Sequence, residues 1–347
     1  MADPVKTESL GKSARDANVK PVLSAFVTSR NDGRWLERLI LDLVAQEDGT
    51  PPFEVIIIEA GDFEPTPQLA KTMGGRFVYH FWKIPGISRC KALNLAIQRA
   101  ASPFVVRLDA RTHVEPDYLN RLYQLWRKTG AANVGGVRVP MGISTDQEII
   151  AEVMKQPFCF GGAADRRKSY HGFADSVYLG AFDRQAVLEV GGYDEERPLI
   201  SEDSDLNYRL RRSGRGVYVD SSIKAYYLAR ETPPEFVTLC RNYGVSRVLF
   251  MRKHRQITGV RQLAVPAFFV SFVALAIAAM ASGWLPVVVV WGAEISGYGF
   301  LLFVSSILVA RVVSGRPVRA FFLALRLFVT AHTYWLEGMI KGMRMYR

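Results

Sequence analysis

From Leu263 to Ala281 the chain reads LAVPAFFVSFVALAIAAMA, about 19 residues without a charge, and this run limits what the rest can be. At about 1.5 Å per residue it is long enough to cross a hydrocarbon core of roughly 30 Å. A turn at Ser282, Gly283 and Trp284 follows, and Leu285 to Ala310 forms a second apolar run with one acid, Glu294, inside it. These runs predict transmembrane helices at 263–281 and 285–310, with the Glu294 carboxyl facing a neighbouring helix. A third segment, 320–340, carries Arg326, His332 and Glu337 and is a poorer span, either interfacial or crossing. The interfacial reading is preferred, because a crossing helix would strand Lys341, Arg344 and Arg347 outside. Arg252, Lys253, Arg255 and Arg261 precede the first run, and Arg311, Arg316 and Arg319 follow the second. The turn between them has no basic residue, which orients both flanks to the cytoplasm.

The N-terminal end reads differently. Residues 1–20 lack the apolar run of a signal peptide and read as a flexible tail. The expected location is therefore the cell inner (plasma) membrane, multi-pass, with the domain ahead of the spans cytoplasmic. Gly11, Lys12 and Ser13 do not make a phosphate loop, because Lys6 stands where its earlier glycine would fall. Lys and Arg number 44 against 33 Asp and Glu, a net charge of +11 that favours an anionic partner. The basic residues gather beside the apolar runs, as suits anionic lipid, rather than among exposed aromatics, so nucleic acid is disfavoured. Cys90, Cys159 and Cys240 are far apart with no CxxC pair, so neither a disulfide framework nor a thiolate zinc site is indicated.

Between about Pro21 and Thr232 strands and helices alternate. PVLSAFVTS, FEVIIIEA and PFVVRLDAR read as buried strands, while WLERLILDLVAQ, with Trp35, Leu36, Leu39, Ile40 and Leu43 at helical spacing, and KALNLAIQRAA read as helices. This order implies an α/β fold, a mostly parallel sheet flanked by helices, with ligands gathered beyond the C-terminal ends of the strands. The polar residues there are Thr28, Ser29, Arg30 and Asn31, then Glu59, Gly61 and Asp62, then Asp109 and Arg111.

The series VTSRND, EVIIIEAGD, SRCKALNLAIQRA, VVRLDART, GGYDEE and ISEDSDLNYRLRRSG, in that order and spacing, resembles a family 2 glycosyltransferase of the inverting GT-A type. The resemblance covers residues 21 to about 232. With the hydrophobic hairpin, RLDART and RNYGVSR, the chain is most similar to membrane-bound exopolysaccharide transferases of the succinoglycan type. The resemblance implies a GT-A nucleotide-diphospho-sugar transferase fold at 21–232, amphipathic interfacial linker helices at 233–262 and a helical membrane region at 263–347. It implies transfer of a hexose, glucose first, from a UDP-sugar to a polyprenyl-diphosphate-linked glycan in bacterial exopolysaccharide biosynthesis. Other polysaccharide-assembly proteins are candidate partners.

The same resemblance assigns roles. Thr28, Arg30 and Glu59 become nucleotide contacts, Glu59 departing from the usual Asp by one methylene. Lys91, with Asn94, supplies a cation for the diphosphate, a role for which Arg89 competes. The family expects Asp-X-Asp where this chain has Asp109, Ala110 and Arg111. Asp109, Arg111 and His113 share a face on an extended chain, so either His113 joins Asp109 on a divalent ion, Mn2+ or Mg2+, or Arg111 neutralises part of the diphosphate. His113 also reads simply as a loop histidine. Asp203 takes the position of the general base, Glu202 assists it or binds the acceptor, and an adjacent anion raises a base's pKa. Ser201 with the acids after it also reads as a helix cap.

In the linker, Phe236, Cys240, Tyr243 and Phe250 recur on one helical face, with Arg241 and Arg252 roughly opposite. Arg241 and Arg247 are candidates for the lipid diphosphate of the acceptor, or for lipid head groups. The Gln-X-X-Arg-Trp motif of processive synthases is absent from the sequence around Arg247, which disfavours processive synthesis. Two alternatives stay open: transfer directly to polyprenyl phosphate, and a non-catalytic membrane nucleotide-sugar sensor or assembly scaffold.

Overall fold

A computed structural model of the chain describes residues 20–160, 169–196, 201–256 and 263–345. Nearly all of the expected N-terminal tail, together with Arg261 and Arg347, lies outside them. The chain begins β1 (Leu23–Ser29), α1 (Gly33–Val44), β2 (Phe53–Glu59), α2 (Pro67–Gly74), β3 (Val78–Lys83), α3 (Arg89–Arg99) and β4 (Phe104–Asp109). It continues β5 (Thr112–Val114), α4 (Tyr118–Thr129), β6 (Asn133–Met141), α5 (Thr145–Lys155), α6 (Pro157–Phe160), β7 (His171–Phe173) and β8 (Ala181–Asp183). Next come α7 (Arg184–Glu189), α8 (Glu202–Arg212), β9 (Val217–Leu228), α9 (Pro233–His254), α10 (Ala264–Ser282), α11 (Leu285–Val312) and α12 (Pro317–Arg344).

The described residues of Met1–Val139 and Ala163–Leu228 form one compact unit, and those of Pro140–Gly162 and Ala229–Arg347 form another. The second unit takes in α5 and α6, which the sequence reading grouped with the catalytic domain. Polar contacts within that unit give the reason. The Gln147 amide donates to Ala229 O at 2.8 Å, and Arg319 pairs with Asp146 at 2.6 Å.

In the first unit the described strands form one sheet ordered β3-β2-β1-β4-β8-β6-β9-β5, with β7 on β9. β3, β2, β1 and β4 run parallel. β8 is antiparallel to β4 and β6, and β5 and β7 are antiparallel to β9. All seven residues of β1 are buried, as a central strand covered on both faces requires. Alternate side chains feed two cores: Ala25 and Val27 meet Leu36, Leu39 and Ile40 of α1, while Phe26 meets Leu93 and Ile97 of α3 and Leu206 of α8. The five apolar positions expected to face inward on α1 are the five that are buried. The register places Thr28 opposite Asp109 and Ser29 opposite Glu59, so the three expected strand ends stand side by side.

In the second unit α9 packs along α12. At Gly244 an added Cβ would strike Trp335 O, and at Gly338 it would strike Arg241 O, so the backbones approach more closely than any larger residue permits. Phe236, Cys240 and Phe250 of the expected stripe are buried, together with Leu239, Val245, Val248 and Leu249. Helices α10 and α11, with mean hydropathies of 2.3 and 1.8, are long and apolar enough to cross a membrane. Ser271 of α10 donates to Glu294 of α11, so the acid does face a neighbouring helix. α12 is less apolar, and its His332 is held on both nitrogens, Nε2 2.8 Å from Phe158 O and Nδ1 2.9 Å from the Tyr298 hydroxyl.

Candidate active site

An arginine inside an apolar strand is the key to the site. Arg107 lies on β4 between Val106 and Leu108, only 4% exposed, where an unpaired charge would be strongly unfavourable. It is paired on several sides. Its Nη2 donates to Glu202 Oε1 at 2.8 Å and to Asp109 Oδ1 at 3.4 Å, and its Nη1 donates to the Tyr193 hydroxyl at 3.2 Å. Arg89, in the first turn of α3, reaches the same two acids, Glu202 Oε1 from Nε at 2.7 Å and Asp109 Oδ1 from Nη2 at 2.9 Å. Two guanidinium groups and two carboxylates therefore join β4, α3 and α8 beside the C-terminal end of the parallel strands.

This network divides the acids. Burial alone would raise the pKa of Asp109, but Arg89 and Arg107 outweigh it and hold the carboxyl below its ordinary value. Glu202 behaves alike, burial again being outweighed by Arg107 and Arg89. Asp203 goes the other way, raised by burial and then by the negative charge of Glu202. Burial pushes the Tyr193 phenol up to about 12, so it stays protonated at neutral pH. Adjacent acids with opposite shifts are the pattern of a fixed anion beside a proton acceptor. Asp203 is the second residue of α8, its Oδ1 accepting the Ser204 N–H at 2.8 Å. Ser201 stands at the N-cap, where its side chain makes no capping bond, and Glu202, Asp203 and Asp205 in the first turn offset the helix dipole.

The other expected residues fall into three groups. Thr28 is buried at the end of β1, whereas Arg30 and Lys91 are exposed. Glu59 is fully buried, its Oε1 accepting from the N–H groups of Asn31 at 3.1 Å and Gly61 at 2.7 Å while Oε2 has no partner. It ties together the loops that follow β1 and β2. Asn94 is buried and clamps the chain around Tyr193, donating to Tyr193 O at 2.8 Å and Glu195 at 2.6 Å and accepting from Tyr193 N–H at 2.7 Å.

The shared face expected for Asp109, Arg111 and His113 does not form. β4 ends at Asp109, Ala110 and Arg111 make a turn, and β5 joins β9 at the far edge of the sheet, so the alternation is broken. Arg111 Nε donates to Asp32 at 2.9 Å, and His113 Nδ1 lies 2.8 Å from Asp42 on α1. The structure thus brings His113 to Asp42 rather than to Asp109. Among the described residues no three His, Cys, Asp or Glu side chains gather to hold a metal ion. Asp109 does leave Oδ2 without a hydrogen bond in the described structure, since both arginines bind Oδ1. A single hard carboxylate oxygen fits a divalent ion that draws its other ligands from diphosphate oxygens and water.

Arg241 and Arg247, both on α9, belong to the second unit. Arg241 makes a two-bond pair with Glu337 of α12, at 3.0 and 3.1 Å, and sits 4.9 Å from the centre of the Tyr334 ring. Arg247 lies 5.9 Å from the Phe250 ring. The functional contact that the sequence reading missed is Arg107, and the signal for it was present: a lone charge in the apolar strand FVVRLD demands partners.

A mostly parallel sheet flanked by helices, with acids and cations at the strand ends, is the architecture of the GT-A fold. Residues 24–191 match the family described as glycosyl transferase family 2. The chain carries a family 2 glycosyltransferase domain and is a glycosyltransferase. It is 29% identical over 260 residues to the succinoglycan biosynthesis protein ExoA of Rhizobium meliloti, covering 71% of this chain and 75% of that protein. It is 21% identical over 239 residues to a Methanococcus voltae protein named dolichyl N-acetyl-alpha-D-glucosaminyl phosphate 3-beta-D-2,3-diacetamido-2,3-dideoxy-beta-D-glucuronosyltransferase, covering 67% and 74%. Among solved structures it resembles the mannosyltransferase PcManGT of Pyrobaculum calidifontis in complex with GDP-Man and Mn2+. That likeness has a TM-score of 0.64 at 16% identity over 96% of this chain and 90% of the other.

Proposed function

We propose that the enzyme transfers one hexose, glucose first, from a UDP-sugar to a polyprenyl-diphosphate-linked glycan for an exopolysaccharide, with inversion and without processivity. It would act from the cytoplasmic face of the inner membrane, anchored by α10 and α11. The observation that carries the catalytic part is the split between Glu202, pinned by two arginines, and Asp203, whose proton affinity is raised. The role of ExoA in succinoglycan biosynthesis and the lipid-linked substrate in the name of the archaeal relative support the acceptor class.

The donor's nucleoside would lie over Thr28, Arg30 and Glu59. Arg89, Lys91 and Arg111 are the cations available to its diphosphate. The acceptor hydroxyl attacks the anomeric carbon from the side opposite the diphosphate and gives its proton to the Asp203 carboxylate, while the bond between that carbon and the diphosphate oxygen breaks. Arg89 and Arg107 keep Glu202 in place beside that base. Asp109 is the residue that would hold a divalent ion, Mn2+ or Mg2+, which would neutralise charge developing on the leaving group.

The test is a panel of nucleotide sugars incubated with detergent-purified protein and bacterial lipid extract, with products identified by mass. A single hexose added to a lipid-linked glycan is the expected result. A product formed on polyprenyl phosphate alone would replace this acceptor, and the lack of any transfer would overturn the reading.

A further inference from the structure

We propose that Arg107 is the positioning residue of the transfer step: from inside β4 it pins Glu202 to Asp109 and Tyr193, so that Asp203 alone of the paired acids exchanges a proton. The proposal rests on the reading of Asp203 as the base. Three observations carry it. Arg107 is buried, so it orders other side chains without touching a donor or acceptor from solvent. Its guanidinium addresses three different partners from three places in the chain, β4 itself, the turn before α8 and the first residue of α8. It also stands 5.6 Å from the centre of the Tyr193 ring, a second contact with the side chain whose hydroxyl it binds. A planar fork suits this task in a way that a single ammonium does not.

The charges around Asp203 make the idea measurable. Glu202 faces it from its own helix, Arg107 from β4, Arg138 from β6 and Tyr193 from the preceding turn. Glu202 raises the proton affinity of Asp203, while Arg107 and Arg138 lower it. Removing Arg107 and removing the Glu202 charge therefore push the base in opposite directions. A residue that merely filled space would not produce that opposition.

The experiment measures kcat against pH for the full-length protein with UDP-glucose, or whichever member of the panel gives product, and lipid extract. UDP affinity is measured beside it. Arg107→Met is expected to lower kcat about 100-fold, the scale of a slightly misplaced reacting group. It should raise the acidic limb by about one pH unit, the scale of losing a nearby opposite charge. UDP affinity should stay within about threefold. Arg107→Lys keeps the charge and should leave the limb near its original place, with kcat only partly recovered. Glu202→Gln should move the limb to lower pH. Where Arg107→Met does not fold, the last two variants decide the matter.

Full kcat in Arg107→Lys, or a limb unmoved by Glu202→Gln, overturns the positioning role even if Asp203→Asn is inactive. Activity retained in Asp203→Asn overturns the base itself, a different failure that these variants tell apart.

Discussion

Asn94 grips both backbone groups of Tyr193, its Oδ1 accepting the N–H at 2.7 Å and its Nδ2 donating to the carbonyl at 2.8 Å. One buried amide thus fixes the turn that leads to α8 and its acids. Asn94→Ala leaves both backbone groups unsatisfied in a buried place, a cost of about 2–4 kcal/mol. Its thermal midpoint should fall by several degrees. Asn94→Asp, which turns a carboxylate oxygen toward the Tyr193 carbonyl and the Glu195 carboxylate, should lose at least as much as Asn94→Ala. Equal, unchanged midpoints would show that the turn is held by something else.

Asp109 is the residue proposed to hold a divalent ion. Chelation with EDTA should reduce transfer at least about tenfold, and Mn2+ or Mg2+ should restore it. Asp109→Asn should weaken the metal-dependent part of UDP binding measured by calorimetry. His113→Ala should leave metal dependence unaltered, because that imidazole is engaged with Asp42. A metal requirement lost in His113→Ala would reverse this assignment.

Arg241 ends in a two-bond pair with Glu337, so its charge is already balanced within the second unit. If it also binds the lipid diphosphate, Arg241→Met must reduce transfer to a lipid-linked acceptor by more than about fivefold while sparing a soluble one. Equal loss on both would leave it as a link between α9 and α12, worth about 0.2–1 kcal/mol for a pair so exposed.

The parallel half of the fold was legible because β1, β2 and β4 are buried on both faces and read as mainly apolar runs. β3 was not, since VYHFWK at the sheet's edge alternates buried and half-buried residues and lacks that run. The strand-end positions Thr28, Glu59 and Asp109 were legible for the same reason that β1, β2 and β4 were. The partners of Arg107 were not, since Glu202 lies 95 residues away in sequence and only the closing of the sheet brings the two together. The expected ligand pair of Asp109 and His113 failed on local geometry: a turn at Ala110 and Arg111 takes the chain out of the strand before His113 is reached.

The raised proton affinity of Asp203 has consequences of opposite sign for activity and stability. As a base it must be ionised, so kcat should fall on the acid side at a pH above the ordinary aspartate value of about 3.9. For folding, a carboxyl whose pKa is higher in the folded chain than in the unfolded one favours the native state below the unfolded value. That contribution is lost as pH rises through the folded value. Asp203→Asn should therefore melt at the same temperature as the parent or higher at pH 7, and lose that advantage on acidification. A variant clearly less stable than the parent at pH 7 would show that the native carboxylate is favourably paired.

The decisive measurement is turnover by detergent-purified Asp203→Asn beside the parent protein, with UDP affinity recorded for both. A general base contributes roughly 10²–10⁴-fold, so transfer should fall by at least two orders of magnitude while UDP binds with nearly unchanged affinity. Transfer at the parental rate in a variant that still binds UDP would contradict the account.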